Sequence, residues 1–360
     1  MTDVAGAQAA GAAADEAELR YCSAPPRTLA ALPPGLDAVR ARAIVLGRAM
    51  WANGTVIHYW FFGDGPWAGE PAQQEAVRAG FQAWKDLGIG LEFREVADRS
   101  EAEVRVGFMD GDGSWSYVGR DVLGQASSAR TMNFGWDLTT PYGRTTALHE
   151  IGHTLGMPHE HQNPFAGIVW DEPKVYEFLG GPPNNWDRQT TFHNVLRKLD
   201  PGEVEGSSWD PDSVMEYRFP GGLILQPQRY RGGISPPGTI SELDRAFVRR
   251  WYPPADPAGP PTLEPFVSVP LDLAAGGQAD FALDPPGTRE YQVGTFGASD
   301  VVLVLFEEVD GELRFVAGDD DSGEDRNALL AAKLFKGRRY VVRLRLYHAW
   351  QSGRTAVMYW

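Results

Sequence analysis

The sequence is short of cysteine, of basic residues and of long apolar runs. With a single Cys in 360 residues no intramolecular disulfide can form, and a disulfide-stapled scaffold is excluded. Lys and Arg number 33 against 48 Asp and Glu, a formal charge of −15. That balance argues against a nucleic-acid protein, whose phosphate contacts need a basic face. The longest clean apolar run, Val301 to Phe306, falls far short of the ~20 residues that span a bilayer, so no membrane span is expected. The opening stretch carries Asp3, no basic residue before Arg20, and small rather than greasy side chains. It makes a poor signal peptide, so the expectation is cytoplasmic residence or export by a non-classical route.

What is present is an ordinary globular composition, 43% hydrophobic and 22% charged, enough for real cores over about two domains. Residues 1–20 read as a flexible tail and 21–49 as an N-terminal segment that includes a helical pattern over 34–51. Residues 252–265 hold six Pro in fourteen positions, a semi-rigid linker centred on 253–261. The expected domains are therefore 50–252 and 262–360. In the first, Val56–Phe62 reads as a strand. Residues 72–87 follow as an amphipathic helix, with Val77, Phe81 and Trp84 on one face. Period-2 alternation then marks strands at Leu91–Phe93 and Val104–Phe108, and a second helix pattern begins near Thr145. This order predicts an α+β domain with a mixed sheet. The second segment alternates through runs such as Val301–Phe306 and Tyr340–Leu346 between Gly/Asp/Pro turns, which predicts a small all-β sandwich.

Four of the seven His lie in His149-Glu150-Ile151-Gly152-His153-Thr154-Leu155-Gly156-Met157-Pro158-His159-Glu160-His161. On a helix, His149 and His153 stand one turn apart on one face, so both imidazoles can reach one ion. Thr145 or Thr146 is the expected N-cap. Gly156 can end the helix in a left-handed turn and swing His159 back as a third ligand. Three imidazoles and a water make an open zinc site, one ion, with Glu150 placed to take a proton rather than to bind metal. A bare HExxH arises on exposed helices by chance; Gly156 and His159 at these offsets make coincidence a poor explanation.

The motif HEIGHTLGMPHEHQNP resembles that of the metzincin zinc endopeptidases, and among them the astacins. Ser213-Val214-Met215-Glu216-Tyr217 resembles their Met-turn. Trp51-Ala52-Asn53-Gly54-Thr55 resembles the opening of the astacin domain, and Ser114-Trp115-Ser116-Tyr117-Val118-Gly119-Arg120 its CWSYVGR segment. Ile240-Ser241-Glu242-Leu243-Asp244 is similar to the closing helix. The resemblance implies a metzincin fold over about residues 50–252, a twisted mixed sheet with long helices, and protein or peptide substrates. It implies that Met215 is a hydrophobic floor beneath the metal and that Tyr217 stabilises the oxyanion, a reading preferred over that of a core aromatic after a turn. No feature of the sequence fixes an oligomeric state. Three departures stand out: no disulfides, Ser114 where the motif has Cys, and Glu216 where the Met-turn has His. In astacins the Glu after the third ligand, here Glu160, meets the processed N-terminus, a link that needs the chain to be cut.

Cys22, in Tyr21-Cys22-Ser23-Ala24-Pro25-Pro26, could occupy the fourth metal position as a latency ligand, as a cysteine switch does in other metzincins. On sequence alone an incidental free thiol is the preferred reading. Substrate is expected along an edge strand within residues 116–135. His161 and His193 read as core or exposed histidines before groove residues, and Trp170 and Trp186 as packing under the domain. The acidic run Gly318–Asp325 offers oxygens to calcium but lacks EF-hand spacing, so a solvated turn is preferred and Ca2+ is unsupported. Arg343 and Arg345 read as a solvated strand face. Two rivals to a zinc metalloendopeptidase remain. One is a zinc peptidase with Glu172 as third ligand; the other is a non-catalytic zinc-containing protein whose β-sandwich recognises a partner.

Overall fold

The computed structural model describes residues 19–26, 50, 51, 53–199, 208–254, 259–348 and 351–360. Residues 1–18, 27–49 and 255–258 lie outside the described residues, and with them most of the expected tail, most of the 34–51 helical pattern and the middle of the Pro-rich stretch. By its internal contacts the chain divides into two compact units. The first takes the described residues of Met1–Met50 with His58–Ala83 and Glu95–Asp244; the second takes Trp51–Ile57, Trp84–Arg94 and Arg245–Trp360.

The first unit is built on a small mixed sheet. Strand β1 (Val56–Phe61) alternates half-buried and buried side chains, as a strand with one covered face must. The next strand, β2 (Glu92–Glu95), belongs to the second unit except for Glu95. Strand β1 pairs in parallel with β3 (Val104–Gly107), and β3 in parallel with β5 (Met132–Asn133). Strand β5 then pairs antiparallel with β4 (Trp115–Ser116), which forms the sheet edge. Helix α1 (Pro71–Lys85) lays Val77 and Phe81 on this sheet, the Phe81 ring stacked on Tyr59 at 4.5 Å. Helix α2 (Pro141–Thr154) is different in kind. It buries Gly143, Thr146, Ala147 and every residue from His149 to Thr154, so it is enclosed rather than amphipathic. After it come α3 (Glu172–Gly180), α4 (Arg188–Thr191) and two short antiparallel pairs. These are β6 (Val169–Trp170) with β8 (Ile224–Gln226), and β7 (Phe219–Pro220) with β9 (Gly233–Ile234). Trp170, Val175, Leu179, Phe219 and Ile224 form an apolar cluster here, and it also takes in Leu19, Tyr21, Cys22 and Ala24. The last helix, α5 (Glu242–Trp251), begins in the first unit and belongs from Arg245 to the second.

The second unit carries eight antiparallel strands in two four-stranded sheets. In chain order these are β10 (Val269–Leu273), β11 (Gln278–Leu283), β12 (Arg289–Thr295), β13 (Val301–Val309), β14 (Glu312–Asp319), β15 (Leu329–Leu334), β16 (Arg339–Leu346) and β17 (Gly353–Tyr359). One sheet is ordered β10-β17-β12-β15, the other β11-β16-β13-β14. Alternate residues of both, among them Tyr291, Val293 and Val357 of the first and Leu303, Leu305 and Val342 of the second, fill one apolar core. Each fully buried side chain of this kind contributes about 1.5–3 kcal/mol. Arg343 departs from the solvated face expected of it. It is 3% exposed and forks onto Asp280, its register partner on β11, Nε to Oδ1 at 2.7 Å, because β16 lies inside its sheet between β11 and β13. In the acidic turn the Asp319 carboxylate accepts from the Ser322 amide and hydroxyl and from the Leu329 amide, so its lone pairs hold the turn together.

Candidate active site

Helix α2 begins earlier than the sequence suggests. Its N-cap is Thr140, whose hydroxyl accepts from the Gly143 amide at 3.0 Å, and Pro141 takes the first helical position. Thr145 and Thr146 lie inside the helix. Thr145 Oγ1 donates to the Gly238 carbonyl, and Thr146 Oγ1 accepts from Trp136 Nε1. Gly143 is required by crowding: a Cβ there would stand 2.1 Å from the Asp137 carbonyl oxygen. At the other end Gly156 adopts φ +97°, and the Met157 amide donates back to Gly152 at 3.1 Å. This tight left-handed turn costs a glycine little and brings His159 back beside His153.

The three imidazoles and the Cys22 thiol meet. Their ligand atoms, one per residue, all lie within 4.8 Å of one another, and all four residues are buried. Among the described residues this is the one group of His, Cys, Asp and Glu so placed. Two of the rings are held in a defined tautomer. His149 Nδ1 donates to the Val214 carbonyl at 2.9 Å and His153 Nδ1 to the Met157 carbonyl at 2.7 Å, leaving each Nε2 lone pair facing the centre. His149 Nε2 is buried with no hydrogen-bond partner, and the Nε2 atoms of His153 and His159 face each other at 3.1 Å. Lone pairs converging in this way are an arrangement that a shared cation resolves. Burial pulls His149 down to about 4 and His153 and His159 well below the usual histidine range, the neutral form a metal requires. The donor set fits zinc, which takes nitrogen and sulfur ligands. Glu172, the rival third ligand, is instead the exposed first residue of α3.

Glu150 lies on the same helix, fully buried. One carboxylate oxygen lacks a partner and the other accepts from Cys22 Sγ at 3.5 Å. Burial pushes its carboxyl up to about 8. Burial first, then the Glu150 charge, push the Cys22 thiol well above its usual range, so without a metal the thiol keeps its proton. Where the sequence favours an incidental thiol, the fold brings Cys22 Sγ to 3.5 Å from His153 Nε2.

The Met-turn is tied to the site through the Val214 carbonyl, which accepts from His149 Nδ1. Met215 is 1% exposed, and its carbonyl accepts from the Glu160 amide. Asp244 organises this turn. Its carboxylate accepts from the Ser213 hydroxyl at 2.6 Å, the Val214 amide at 2.8 Å and the Ser241 amide at 3.0 Å. Ser241 Oγ in turn accepts from the Asp244 amide, a reciprocal capping box at the start of α5. Glu216, standing where the motif has His, accepts from Trp209 Nε1 at 2.8 Å and stays buried. Glu160 is committed to the Asp210 amide and the Asn163 side chain. The Tyr217 hydroxyl donates to the Cys22 carbonyl at 2.6 Å and lies 2.8 Å from His159 Nε2.

Residues 19–24 cross this centre along the edge strand. The Ser23 amide donates to the Ser114 carbonyl at 3.0 Å, just ahead of the 116–135 stretch expected to receive a peptide, because the edge strand is Trp115–Ser116. His161 belongs to the core: it is 2% exposed and donates through Nε2 to the Asn194 carbonyl. Trp170 packs on Phe219, as a domain residue does. Trp186 packs against the same apolar cluster and there meets Tyr21 edge-on at 6.3 Å between ring centroids. Beside Cys22, Tyr142 and Glu150 a cavity of about 280 Å³ opens. The sequence assigns no role to Asn184 or Tyr142, and places Asp244 only in the closing-helix motif. Of these only Asp244 leaves a signal there, through the Ser241-x-x-Asp244 spacing.

Comparison with known proteins agrees with this geometry. The family model Astacin (Peptidase family M12A) matches residues 46–172. A serralysin of Photorhabdus luminescens is 34% identical over 111 residues, 27% of this chain and 23% of that protein. A hatching enzyme of Paracentrotus lividus is 33% identical over 99 residues, 24% of this chain and 16% of that protein. The match thus spans less than a quarter of the length of these curated relatives. The solved structure of myroilysin is 32% identical, with a TM-score of 0.52, and the likeness covers 58% of this chain and 97% of that one. On the fold, the His-bearing helix and these matches together, the chain belongs to the astacin family of metzincin metallopeptidases.

Proposed function

We propose that the protein is a zinc-dependent metalloendopeptidase whose Cys22 segment holds it latent. The observation that carries this reading is the convergence of His149, His153, His159 and Cys22 beside the partnerless oxygen of Glu150. The three histidines would hold zinc, which supplies Lewis-acid polarisation of a peptide carbonyl and acidifies a water when bound there. Glu150, dry and unpaired on one oxygen, accepts the proton of the attacking water and returns it to the leaving amine. Tyr217 donates its phenolic proton to the carbonyl oxygen as charge develops there. The Cys22 carbonyl stands in for that group, receiving the same hydroxyl at 2.6 Å. Met215 and the Asp244-held turn keep the histidine frame in place. Protein or peptide substrates follow from the peptidase family, and no described helix is long and apolar enough to cross a membrane.

With zinc on the three histidines, the Cys22 thiol would take the fourth position and keep water out. The same closure favours a second reading, a permanently shut, structural zinc site. A structural site has no use for a buried carboxylate left half-unpaired, which sets Glu150 against that reading. Zinc stoichiometry, with peptide cleavage measured before and after limited proteolysis and with a chelator, separates the two. The peptidase reading expects one zinc per chain and chelator-sensitive cleavage that appears on release of the segment. One zinc with no cleavage after release overturns it.

A further inference from the structure

The segment that blocks the centre is itself a peptide seated in the cleft, and its contacts separate into two kinds. The main chain is held by groups that would hold any sequence. The Asn184 side chain accepts from the Tyr21 amide at 3.0 Å and donates to the Leu19 carbonyl at 2.9 Å. The Tyr142 hydroxyl donates to the Arg20 carbonyl, Tyr217 donates to the Cys22 carbonyl, and the Ser23 amide donates to Ser114. Side-chain burial, by contrast, takes in Leu19, Tyr21, Cys22 and Ala24, and the shaped socket is that of Tyr21. Tyr21 is 4% exposed, stacked on Phe219 at 5.8 Å and 23°, tilted against Tyr217, and met edge-on by Phe178 and Trp186. At the end of this socket its hydroxyl donates to the Arg218 carbonyl at 2.7 Å. The socket is therefore aromatic on its walls with one acceptor at its end, the complement of a phenol.

We infer that the Tyr21 socket is a substrate subsite, and that the released enzyme selects peptides carrying an aromatic side chain, Tyr before Phe, one residue away from the residue at the metal centre. This rests on the peptidase reading above. A peptide that enters once the segment leaves meets the same Asn184 amide, the same edge-strand carbonyl and a vacated ring-lined socket. Backbone contacts fix its frame, and the socket then reads one side chain. Tyr exceeds Phe because only the phenol satisfies the Arg218 carbonyl, a difference of about two- to ten-fold for one neutral hydrogen bond. Tyr exceeds Ala by more, since the whole ring surface is lost.

Two readouts test this on the zinc-loaded full chain after limited proteolysis. In the first, a peptide series carrying Tyr, Phe, Leu or Ala at each position within two residues of the cleaved bond is ranked by kcat/KM. The inference expects the order Tyr, Phe, Leu, Ala at one fixed position, with the Tyr-to-Ala ratio collapsing in Trp186→Leu. In the second, a fluorescently labelled peptide with the sequence of residues 19–24, Ser replacing Cys, is bound and followed by anisotropy. Its counterpart with Tyr21→Ala should bind at least about tenfold more weakly. Cleavage without aromatic preference, together with equal binding of the two peptides, overturns the subsite and leaves the peptidase reading intact. Tyr-dependent binding without any cleavage keeps the socket and overturns the peptidase reading.

Discussion

The two units differ in how much ionisable polarity they bury. The core of the β-sandwich is Leu, Val, Phe, Tyr and Ala, and its deeply buried Arg343 is paired with Asp280 through Nε and Nη2 while Nη1 is left without a partner. The first unit instead buries His149, Glu150, His153, His159, His161 and Glu216, and leaves His149 Nε2 and a Glu150 oxygen without partners. Burying such groups unpaired costs free energy that an apolar residue of similar size would not. One unit is thus arranged for stability, the other for chemistry, and substitutions should separate them cleanly.

The largest effect is expected from Glu150→Gln. It should keep zinc and lower kcat by about 10²–10⁴-fold in the released enzyme, the range for losing a general base; cleavage at the wild-type rate would put the base elsewhere. Tyr217→Phe removes the phenolic donor and should lower kcat by about 10²–10³-fold with zinc content unchanged. Steady-state kinetics beside zinc analysis distinguishes that from loss of the metal. In the unreleased protein Cys22→Ala works in the other direction. It should raise peptide cleavage by about tenfold or more, the equivalent of about 1.4 kcal/mol of lost inhibition; an unchanged rate would make the thiol incidental after all. In the sandwich, Leu344→Ala should cost about 2–5 kcal/mol of that unit's stability in denaturant unfolding, with zinc stoichiometry unmoved. The smallest expected effect is that of Gly143→Ala. The added methyl group must displace the Asp137 carbonyl at the start of α2, costing about 1–3 kcal/mol. A wild-type melting curve would show that the loop yields freely.

Legibility in the sequence follows the range of the contacts. The metal ligands were readable because one helical turn, one glycine turn and three histidines fall within a short stretch of chain. Strands β1 and β3 and the sandwich strands announced themselves by alternation, and α1 by its apolar face. The start of α2 was misplaced because the hydroxyls of Thr145 and Thr146 were weighed over the Thr140-Pro141 pair, which is the stronger signal. The place of Cys22 had no local signal. Its approach depends on Asn184, Tyr142, Ser114 and Tyr217, all distant along the chain, and on the aromatic socket that anchors its neighbour Tyr21. Arg343 was misread for the same reason: its partner Asp280 lies on another strand.

The lone cysteine excluded disulfides on first reading; in the fold it stands at the centre of the chemistry. Its role is tested most directly by X-ray absorption at the zinc edge on the full-length protein. The account predicts three nitrogen neighbours and one sulfur, with the sulfur lost in Cys22→Ala. A zinc shell of nitrogen and oxygen alone in the wild-type chain would contradict it.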